Sequence, residues 1–299
     1  QGPGVDQSPA AQQRRVLIKA QVLLDRAHFG PGVIDGKEGE NFRQALAAYE
    51  RARGMPADGE LDAQVWQALT QDARPVMQDY VITEEDARGP YLDKLPPADD
   101  YKALAALEKL SYTSPMEAIA ERFHMDEALL KALNPNADFA KAGTKILVTA
   151  PTRAPLPQVA RIEVDKAARE LRAYDASNSL VAIYPATVGS SDMPTPDGEW
   201  EVLSVHEDPV WNYDPAKLNF GDKSVGKLTI PAGPNNPVGL IWIDLSKDTY
   251  GIHGTPDPPQ VGKTASHGCV RLTNWDAQAL AAAVEKGVKV RFVSANSAT

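Results

Sequence analysis

The sequence contains only one cysteine, Cys269, among its 299 residues. A single cysteine cannot form an internal disulfide, and it cannot supply a zinc site built from several thiolates. A lone cysteine in an apolar run is ordinarily a small buried side chain. Cys269 instead follows His267 and Gly268, and reactive cysteines lie in polarised, partly exposed settings of this kind. We therefore interpret Cys269 as the candidate nucleophile.

Long apolar runs and clustered positive charge are also missing. No stretch approaches the roughly 18 to 20 consecutive apolar residues that a membrane-spanning helix needs. The formal net charge is -9, whereas nucleic-acid binding requires clustered Lys and Arg that neutralise phosphates. The sequence therefore predicts no transmembrane segment and no nucleic-acid partner. Because the chain begins at Gln1 without a methionine, we expect that an export signal preceded this residue.

Changes in composition and periodicity predict a multidomain α+β protein. Apolar residues recur at helical spacing in the first part of the chain, whereas the last part has short runs of branched and aromatic residues between turn residues. The predicted segments are a polar tail (1–12), a three-helix unit (13–72), a linker rich in proline and acids (73–104), a strand–helix–helix–strand unit (105–154), a mainly β, sandwich-like unit (155–294) and a second tail (295–299).

Two Asp-Gly turns separate the helices of the first unit. They lie in Ile34-Asp35-Gly36 and Ala57-Asp58-Gly59, where glycine supplies the backbone freedom that a turn requires. These turns, together with Ala45 to Glu50 and Trp66 to Leu69, resemble the small helical peptidoglycan-binding module found beside many cell-wall enzymes. The resemblance implies binding to the glycan strands of peptidoglycan. The alternative is a helical domain that no longer binds glycan, because a fold alone does not establish a site.

The unit at 105–154 resembles a LysM-type glycan-binding module. The resemblance rests on Ile119-Ala120-Glu121-Arg122-Phe123, Leu133-Asn134-Pro135 and Ala142-Gly143-Thr144-Lys145-Ile146. At its start, Thr113-Ser114-Pro115 replaces the usual Gly-Asp pair. The alternative is a unit with the same packing pattern and a purely structural role.

A cysteine nucleophile needs a base that removes its proton. His267 lies two positions from Cys269, which makes it near without making it point at the sulfur. His253 lies sixteen residues upstream at the end of a predicted strand, and the intervening loop can bring it back. We therefore expect His253 to act as the general base. No acid lies at a fixed offset, so we expect the backbone carbonyl of Gly254 to hold the second ring nitrogen.

The residues beside the nucleophile supply candidate oxyanion donors and substrate contacts. Gly268 lets backbone N–H groups approach without an intervening side chain, so the candidate donors are the amides of His267, Gly268 and Cys269. The guanidinium of Arg271 could pair with a substrate carboxylate through a forked contact. The alternative for Arg271 is a structural hydrogen bond to the catalytic loop. The predicted substrate-binding set is Arg271, Ser266 and Asn236.

Together these residues resemble the signature of the L,D-transpeptidase (YkuD-type) catalytic domain. The resemblance rests on His253-Gly254-Thr255 and Ser266-His267-Gly268-Cys269-Val270-Arg271-Leu272, supported by Pro234 to Gly239 and Thr195 to Gly198. It spans nearly all of residues 158–294. It implies an exported enzyme of bacterial peptidoglycan, in the periplasm or at the cell wall, with Cys269 as nucleophile, His253 as base and Gly254 as its carbonyl partner.

The reaction implied by this resemblance is a two-step acyl transfer between peptidoglycan stem peptides. Cys269 attacks the bond between diaminopimelate and the terminal D-alanine of a tetrapeptide stem and forms a thioester. The amine of a second stem then resolves the thioester and creates a 3→3 cross-link. The resemblance also implies that a carbapenem adds covalently to the thiol.

No metal or other cofactor is expected, since His253, His267 and Cys269 lack a familiar zinc-ligand spacing. Two alternatives to the transpeptidase stay open. The first is a hydrolase that passes the same thioester to water, either as an L,D-carboxypeptidase or to release wall-linked protein. The second is a peptidoglycan-binding scaffold without catalysis.

Overall fold

The computed structural model of the chain describes residues 8–190, 195, 197–218, 220–266 and 268–293. Most of the predicted tails, His267 and Pro196 lie outside the described residues. No helix within the described ranges is both long and apolar enough to cross a lipid bilayer.

The first unit consists of three helices, α1 (Pro9–Arg26), α2 (Glu40–Ala52) and α3 (Ala63–Leu69). Helix α1 begins inside the segment predicted as a polar tail. The Ser8 hydroxyl accepts a hydrogen bond from the Ala11 amide, and Pro9 occupies the first helical position. Both features stabilise a helix start even where the first turns have no apolar face. The predicted tail therefore ends at least four residues too late.

The middle unit contains α4 (Glu84–Arg88), α5 (Tyr101–Ala105), α6 (Pro115–Arg122) and α7 (Glu127–Leu133), with strands β1 (Met77–Val81) and β2 (Lys145–Thr149). Strands β1 and β2 pair antiparallel. Four helices, rather than the predicted two, lie between β1 and β2, and β1 lies within the predicted linker 73–104. The linker prediction was wrong at this strand. The surrounding prolines and acids hide it in the sequence, whereas in the structure Met77 and Tyr80 pack against the core. The LysM-like assignment stays a prediction.

The last unit is mainly β, as predicted, and one sheet organises it. Its strands are β3 (Arg161–Asp165), β4 (Glu170–Tyr174), β5 (Leu180–Pro185), β6 (Gly198–Glu207), β7 (Trp211–Tyr213), β8 (Leu228–Ile230), β9 (Ile241–Leu245), β10 (Gly251–His253), β11 (Val270–Arg271) and β12 (Lys289–Val293). Among the described residues, eight strands form a sheet in the order β11-β10-β9-β6-β12-β3-β4-β5, and β7 pairs with β8 as a separate hairpin.

Strand β6 connects the two halves of the large sheet. Its first residues pair with β12 and its last residues pair with β9, with an irregularity between Val202 and Ser204. Such bends let one strand pass between two packed layers. Leu171, Ile243 and Val270 therefore share one buried core although their strands lie in different halves of the sheet. Helix α8 (Asn274–Ala281) packs on this core through Ala277 and Leu280.

The three units pack against one another through backbone and ionic contacts. The Gly30 amide donates to the Ile183 carbonyl of β5, and the Ile34 amide donates to the His124 carbonyl of the middle unit. Arg153 reaches two fully buried carboxylates, Asp25 of α1 and Asp276 of α8. Burial alone would raise the pKa of Asp25, but the charges of Arg153 and His124 bring the pKa of that carboxyl below its ordinary value.

We expect Arg153→Met to destabilise the fold strongly, because it leaves Asp25 and Asp276 buried without their shared cation. Removing one partner of a buried ion pair costs about 3–5 kcal/mol. The midpoint of urea unfolding, followed by circular dichroism, measures the effect. The matched control is Arg43→Met, which breaks only an exposed pair with Glu38 and should cost less than about 1 kcal/mol. Equal midpoints for the two variants would contradict the structural role of Arg153.

Candidate active site

Parallel pairing of β10 with β11 brings the candidate base and nucleophile together. Ile252 is opposite Val270, and His253 is opposite Arg271. Side chains alternate between the two faces of a strand, and Ile252 and Val270 both point into the buried core. His253 and Arg271 therefore share the other face, and Cys269, which immediately precedes β11, lines the same cavity as both of them. The loop between the strands returns the chain as the sequence suggested.

The imidazole of His253 is buried and held in one orientation. Its Nδ1 lies 2.7 Å from the Gly254 carbonyl, which can only accept, so Nδ1 carries the proton and Nε2 is the free acceptor. The Trp242 ring stacks on it with a centroid distance of 5.5 Å. Burial, followed by the charge of Arg271, lowers the pKa of His253 to about 3 although the Gly254 contact opposes the shift. The ring is therefore neutral at neutral pH.

The thiol of Cys269 also favours its neutral form. Burial raises its pKa above the ordinary thiol value, and the Gly251 amide and the charge of Arg271 only partly oppose that shift. The Sγ donates to the Thr249 carbonyl at 3.6 Å. Within the described residues, no hydrogen bond joins Sγ to His253. Both side chains line one cavity, and catalytic hydrogen bonds are often long before substrate binds.

Two hydroxyl groups fix the loop that carries the nucleophile. Ser266 Oγ donates to the Cys269 carbonyl at 2.6 Å and accepts from the Gly268 amide at 3.1 Å. Thr195 Oγ1 donates to the Gly268 carbonyl at 2.6 Å and accepts from the Gly189 amide at 2.8 Å. The loop backbone is therefore held in place from both sides.

These contacts correct part of the predicted oxyanion site. The Gly268 amide is already bonded to Ser266 Oγ, so it does not face the cavity as a free donor. The amide of Cys269 has no hydrogen-bond acceptor in the described part of the chain and remains the candidate. His267 lies outside the described residues. Gly268 has a φ of 121°, and a Cβ there would lie 2.9 Å from the Tyr250 ring, so this position requires glycine.

The predicted substrate-binding residues have different surroundings. Arg271 lines the cavity, and its buried Nε has no hydrogen-bond partner among the described residues. The prediction of Asn236 as a substrate contact is wrong. The side chain of Asn236 is buried, its Nδ2 donates to the Pro231 carbonyl at 2.7 Å, and its Oδ1 accepts from the Val238 amide at 2.9 Å. The hydroxyl of Ser266 is likewise already hydrogen-bonded, to the backbone of Gly268 and Cys269. The adjacent Asn235 lines the cavity instead.

The cavity has a volume of about 640 Å³, and part of its wall comes from a segment far from the signature in sequence. Residues 95–104, which we name the strap, contribute side chains to the cavity wall and include most of α5. Tyr101 of the strap packs against Tyr213 of β7 with a centroid distance of 4.4 Å. Sequence reasoning missed this contribution because the strap lies within the predicted linker. It also missed Trp242 and Tyr250, which carry no motif of their own.

Two parts of the chain match known families. Residues 159–292 match the L,D-transpeptidase catalytic domain, and residues 16–69 match a peptidoglycan-binding domain. The chain is 33% identical over 177 residues to the YkuD protein of Bacillus licheniformis, which carries an L,D-transpeptidase name. That match covers 58% of this chain and 91% of the relative.

The chain is also similar to a second curated relative and to solved structures. The chain is 30% identical over 189 residues to the Probable L,D-transpeptidase YbiS of Escherichia coli K12, a match to 60% of each protein. Among solved structures, it is similar to L,D-transpeptidase 3 from Mycobacterium tuberculosis. The two are 17% identical with a TM-score of 0.38, and the match covers 49% of this chain and 67% of the other. It is also similar to the catalytic domain of the Enterococcus faecium L,D-transpeptidase, with 23% identity and a TM-score of 0.36 over 46% of this chain and 98% of the other.

The raised pKa of Cys269 and the lowered pKa of His253 predict how the free thiol reacts. We expect the rate of alkylation by iodoacetamide to keep rising from about pH 7 to about pH 9, because thiolate forms only as the solution becomes alkaline. Mass spectrometry of the intact protein measures this rate, and Cys269→Ala is the unlabelled control. A constant, fast rate between about pH 5 and about pH 8 would instead indicate a preformed thiolate–imidazolium pair.

Proposed function

Since the chain belongs to the L,D-transpeptidase family, we propose that Cys269 performs acyl transfer between peptidoglycan stem peptides and forms 3→3 cross-links. The observation that carries this proposal is that His253 and Cys269 line one cavity, with Nδ1 of His253 held by the Gly254 carbonyl at 2.7 Å. That contact leaves Nε2 free to receive the thiol proton.

In the first step, Sγ of Cys269 attacks the carbonyl carbon between diaminopimelate and the terminal D-alanine. Burial disfavours both the thiolate and the imidazolium, so the proton moves to Nε2 of His253 as the S–C bond forms. The carbonyl oxygen takes the negative charge, and the free amide of Cys269 is its proposed donor. When this intermediate collapses, the C–N bond breaks, His253 protonates the leaving amine, and D-alanine departs from a thioester.

In the second step, the amine of an acceptor stem attacks the thioester carbonyl. His253 removes a proton from that amine, the C–S bond breaks, and the proton returns to Cys269 as a new amide bond forms. The step needs no oxidant, reductant or cofactor. A water molecule in place of the amine would give hydrolysis through the same thioester, which keeps the L,D-carboxypeptidase and the release of wall-linked protein as alternatives. The open cavity admits either acceptor.

Arg271 is the proposed contact for a carboxylate of the donor stem. Its Nε is buried at the cavity without a partner among the described residues, and an unpaired buried donor is costly unless a ligand satisfies it. The stem peptide offers carboxylates beside the scissile bond. A purely structural role for Arg271 would leave its Nε satisfied by the protein.

The first and middle units are proposed to hold the enzyme on its polymeric substrate. The match of residues 16–69 to a peptidoglycan-binding domain supports glycan strands as the partner, and it supports an exported location at the periplasm or wall. The LysM-like unit is proposed to add a second glycan contact.

Purified disaccharide-tetrapeptide, incubated with the wild-type protein, should yield a cross-linked dimer that has lost one D-alanine, because one stem supplies the acyl group and another the amine. Mass spectrometry of the products measures this outcome. Cys269→Ala is the control and should give no product. Tripeptide without dimer would support the hydrolase instead, and the absence of any Cys269-dependent product would leave only the non-catalytic scaffold.

Arg271→Met should raise KM for the tetrapeptide by about tenfold or more, because a hydrogen bond to a charged group contributes about 1.5–3 kcal/mol. Steady-state kinetics of D-alanine release measures the change. Arg271→Lys keeps the charge but not the fork, so we expect an intermediate KM. An unchanged KM in Arg271→Met would show that Arg271 does not bind the donor stem.

A further inference from the structure

A polar chain connects the middle unit to the candidate base. It starts at Glu121 on α6, whose Oε1 accepts hydrogen bonds from Asn274 Nδ2 at 2.9 Å and from Tyr112 Oη at 2.9 Å. Asn274 is the first residue of α8 and is buried. No salt bridge in the described part of the chain involves Glu121. The hydrogen-bond partners of the Glu121 carboxyl group are therefore the Asn274 side-chain amide and the Tyr112 hydroxyl, and not a cation.

The orientation of the Asn274 side chain follows from its neighbours. Its Oδ1 accepts from the Leu240 amide at 3.0 Å and from the Thr255 amide at 3.2 Å. Its Nδ2 faces two acceptors, Glu121 Oε1 and the Pro234 carbonyl, the latter at 3.3 Å. Backbone amides only donate and carbonyls only accept, so the amide group fits in one orientation. Glu121 stabilises that orientation from the Nδ2 side.

The Thr255 amide belongs to the same peptide unit as the Gly254 carbonyl. Because a peptide unit is planar and rigid, the bond from Thr255 N–H to Asn274 Oδ1 fixes the direction of the carbonyl that holds His253 Nδ1. The approach is close, since a Cβ on Gly254 would lie 2.0 Å from Asn274 Oδ1. The residue that follows the base must therefore be glycine for this contact to form.

We propose that Glu121 is a positioning residue for His253, acting through Asn274 and the Gly254–Thr255 peptide. The middle unit thereby holds the imidazole of the last unit, which we call the catalytic unit, in the orientation that leaves Nε2 free to receive the thiol proton. This inference rests on the proposed role of His253 as the base. It assigns to the middle unit a part in the reaction that is separate from glycan binding.

The neighbouring Glu117 makes a similar contact with a different residue of the last unit. Glu117 lies one turn earlier on α6 and also bonds to the catalytic unit, but its partner is Asn235 Nδ2 at 2.8 Å. Asn235 bonds to the Ser111 carbonyl and not to the peptide that holds His253. The two glutamates therefore make similar contacts between the units with different consequences, and Glu117 provides a matched control.

The test compares Glu121→Leu with Glu117→Leu in the full chain, using two readouts. In protein labelled with ¹⁵N-histidine, Nδ1–H of His253 gives an NMR signal that is assigned with His253→Gln. We expect Glu121→Leu to broaden or remove this signal and to lower kcat by about ten- to a hundredfold, since small misplacements of catalytic groups cost that much, with little change in KM. Glu117→Leu should keep the signal. An intact signal and kcat in a folded Glu121→Leu would overturn the proposal.

A pair of polar substitutions tests the same chain if Glu121→Leu fails to fold. Asn274→Asp keeps an acceptor for the Thr255 amide but places a carboxylate oxygen against Glu121 Oε1. Adding Glu121→Gln supplies an N–H donor to that oxygen. We expect Asn274→Asp to lose the His253 signal and the double variant to recover it, together with part of kcat. Equal loss in both variants would contradict the path.

The NMR signal also separates this inference from the proposed function. It reports the position of His253 whether or not cross-links form. Wild-type protein that shows the signal without acyl transfer would count against the proposed function alone, while Glu121→Leu would still decide whether Glu121 positions His253.

Discussion

The parallel pairing of β10 with β11 is the constraint on which the site depends. It sets His253 opposite Arg271 and leaves Cys269 at the end of the loop that joins the two strands. Because side chains alternate along a strand, a shift of one residue would exchange the core face and the cavity face. Ile252 and Val270, both buried, oppose such a shift. The apolar core therefore fixes the register that keeps the proposed base and nucleophile at one cavity.

Burial has a second effect on the site, since it favours the neutral forms of both reacting groups. The pKa of His253 falls to about 3 and the pKa of Cys269 rises. A neutral imidazole can accept a proton, and a neutral thiol is a weaker nucleophile than a thiolate. The proposed mechanism therefore couples proton transfer to attack on a bound substrate. Arg271, whose buried Nε has no hydrogen-bond partner in the described part of the chain, is the proposed link between substrate binding and the same site.

The sequence predicted the parts of the fold and site that local pattern determines. Short runs of branched residues correspond to β3, β4 and β9, and the residues around His253 and Cys269 resemble the family that the comparisons show. It did not predict contacts that depend on distant packing. Asn236 lies in a motif beside the site, but nearby backbone groups satisfy its amide. Ser266 likewise supports the loop, because its hydroxyl reaches two backbone groups within three residues of it.

The largest difference between prediction and structure lies at residues 73–104, which the composition predicts to be a linker. The composition of this segment, with Pro96, Pro97 and several acids, gives no periodic signal, so only tertiary packing shows that β1 belongs to the middle unit and that the strap lines the cavity. Tyr101 forms part of the cavity wall, and Glu121 is hydrogen-bonded to Asn274. A catalytic unit cut at residue 155 would keep the signature and lose both. The site is therefore a property of the packed units, although its chemistry lies within one of them.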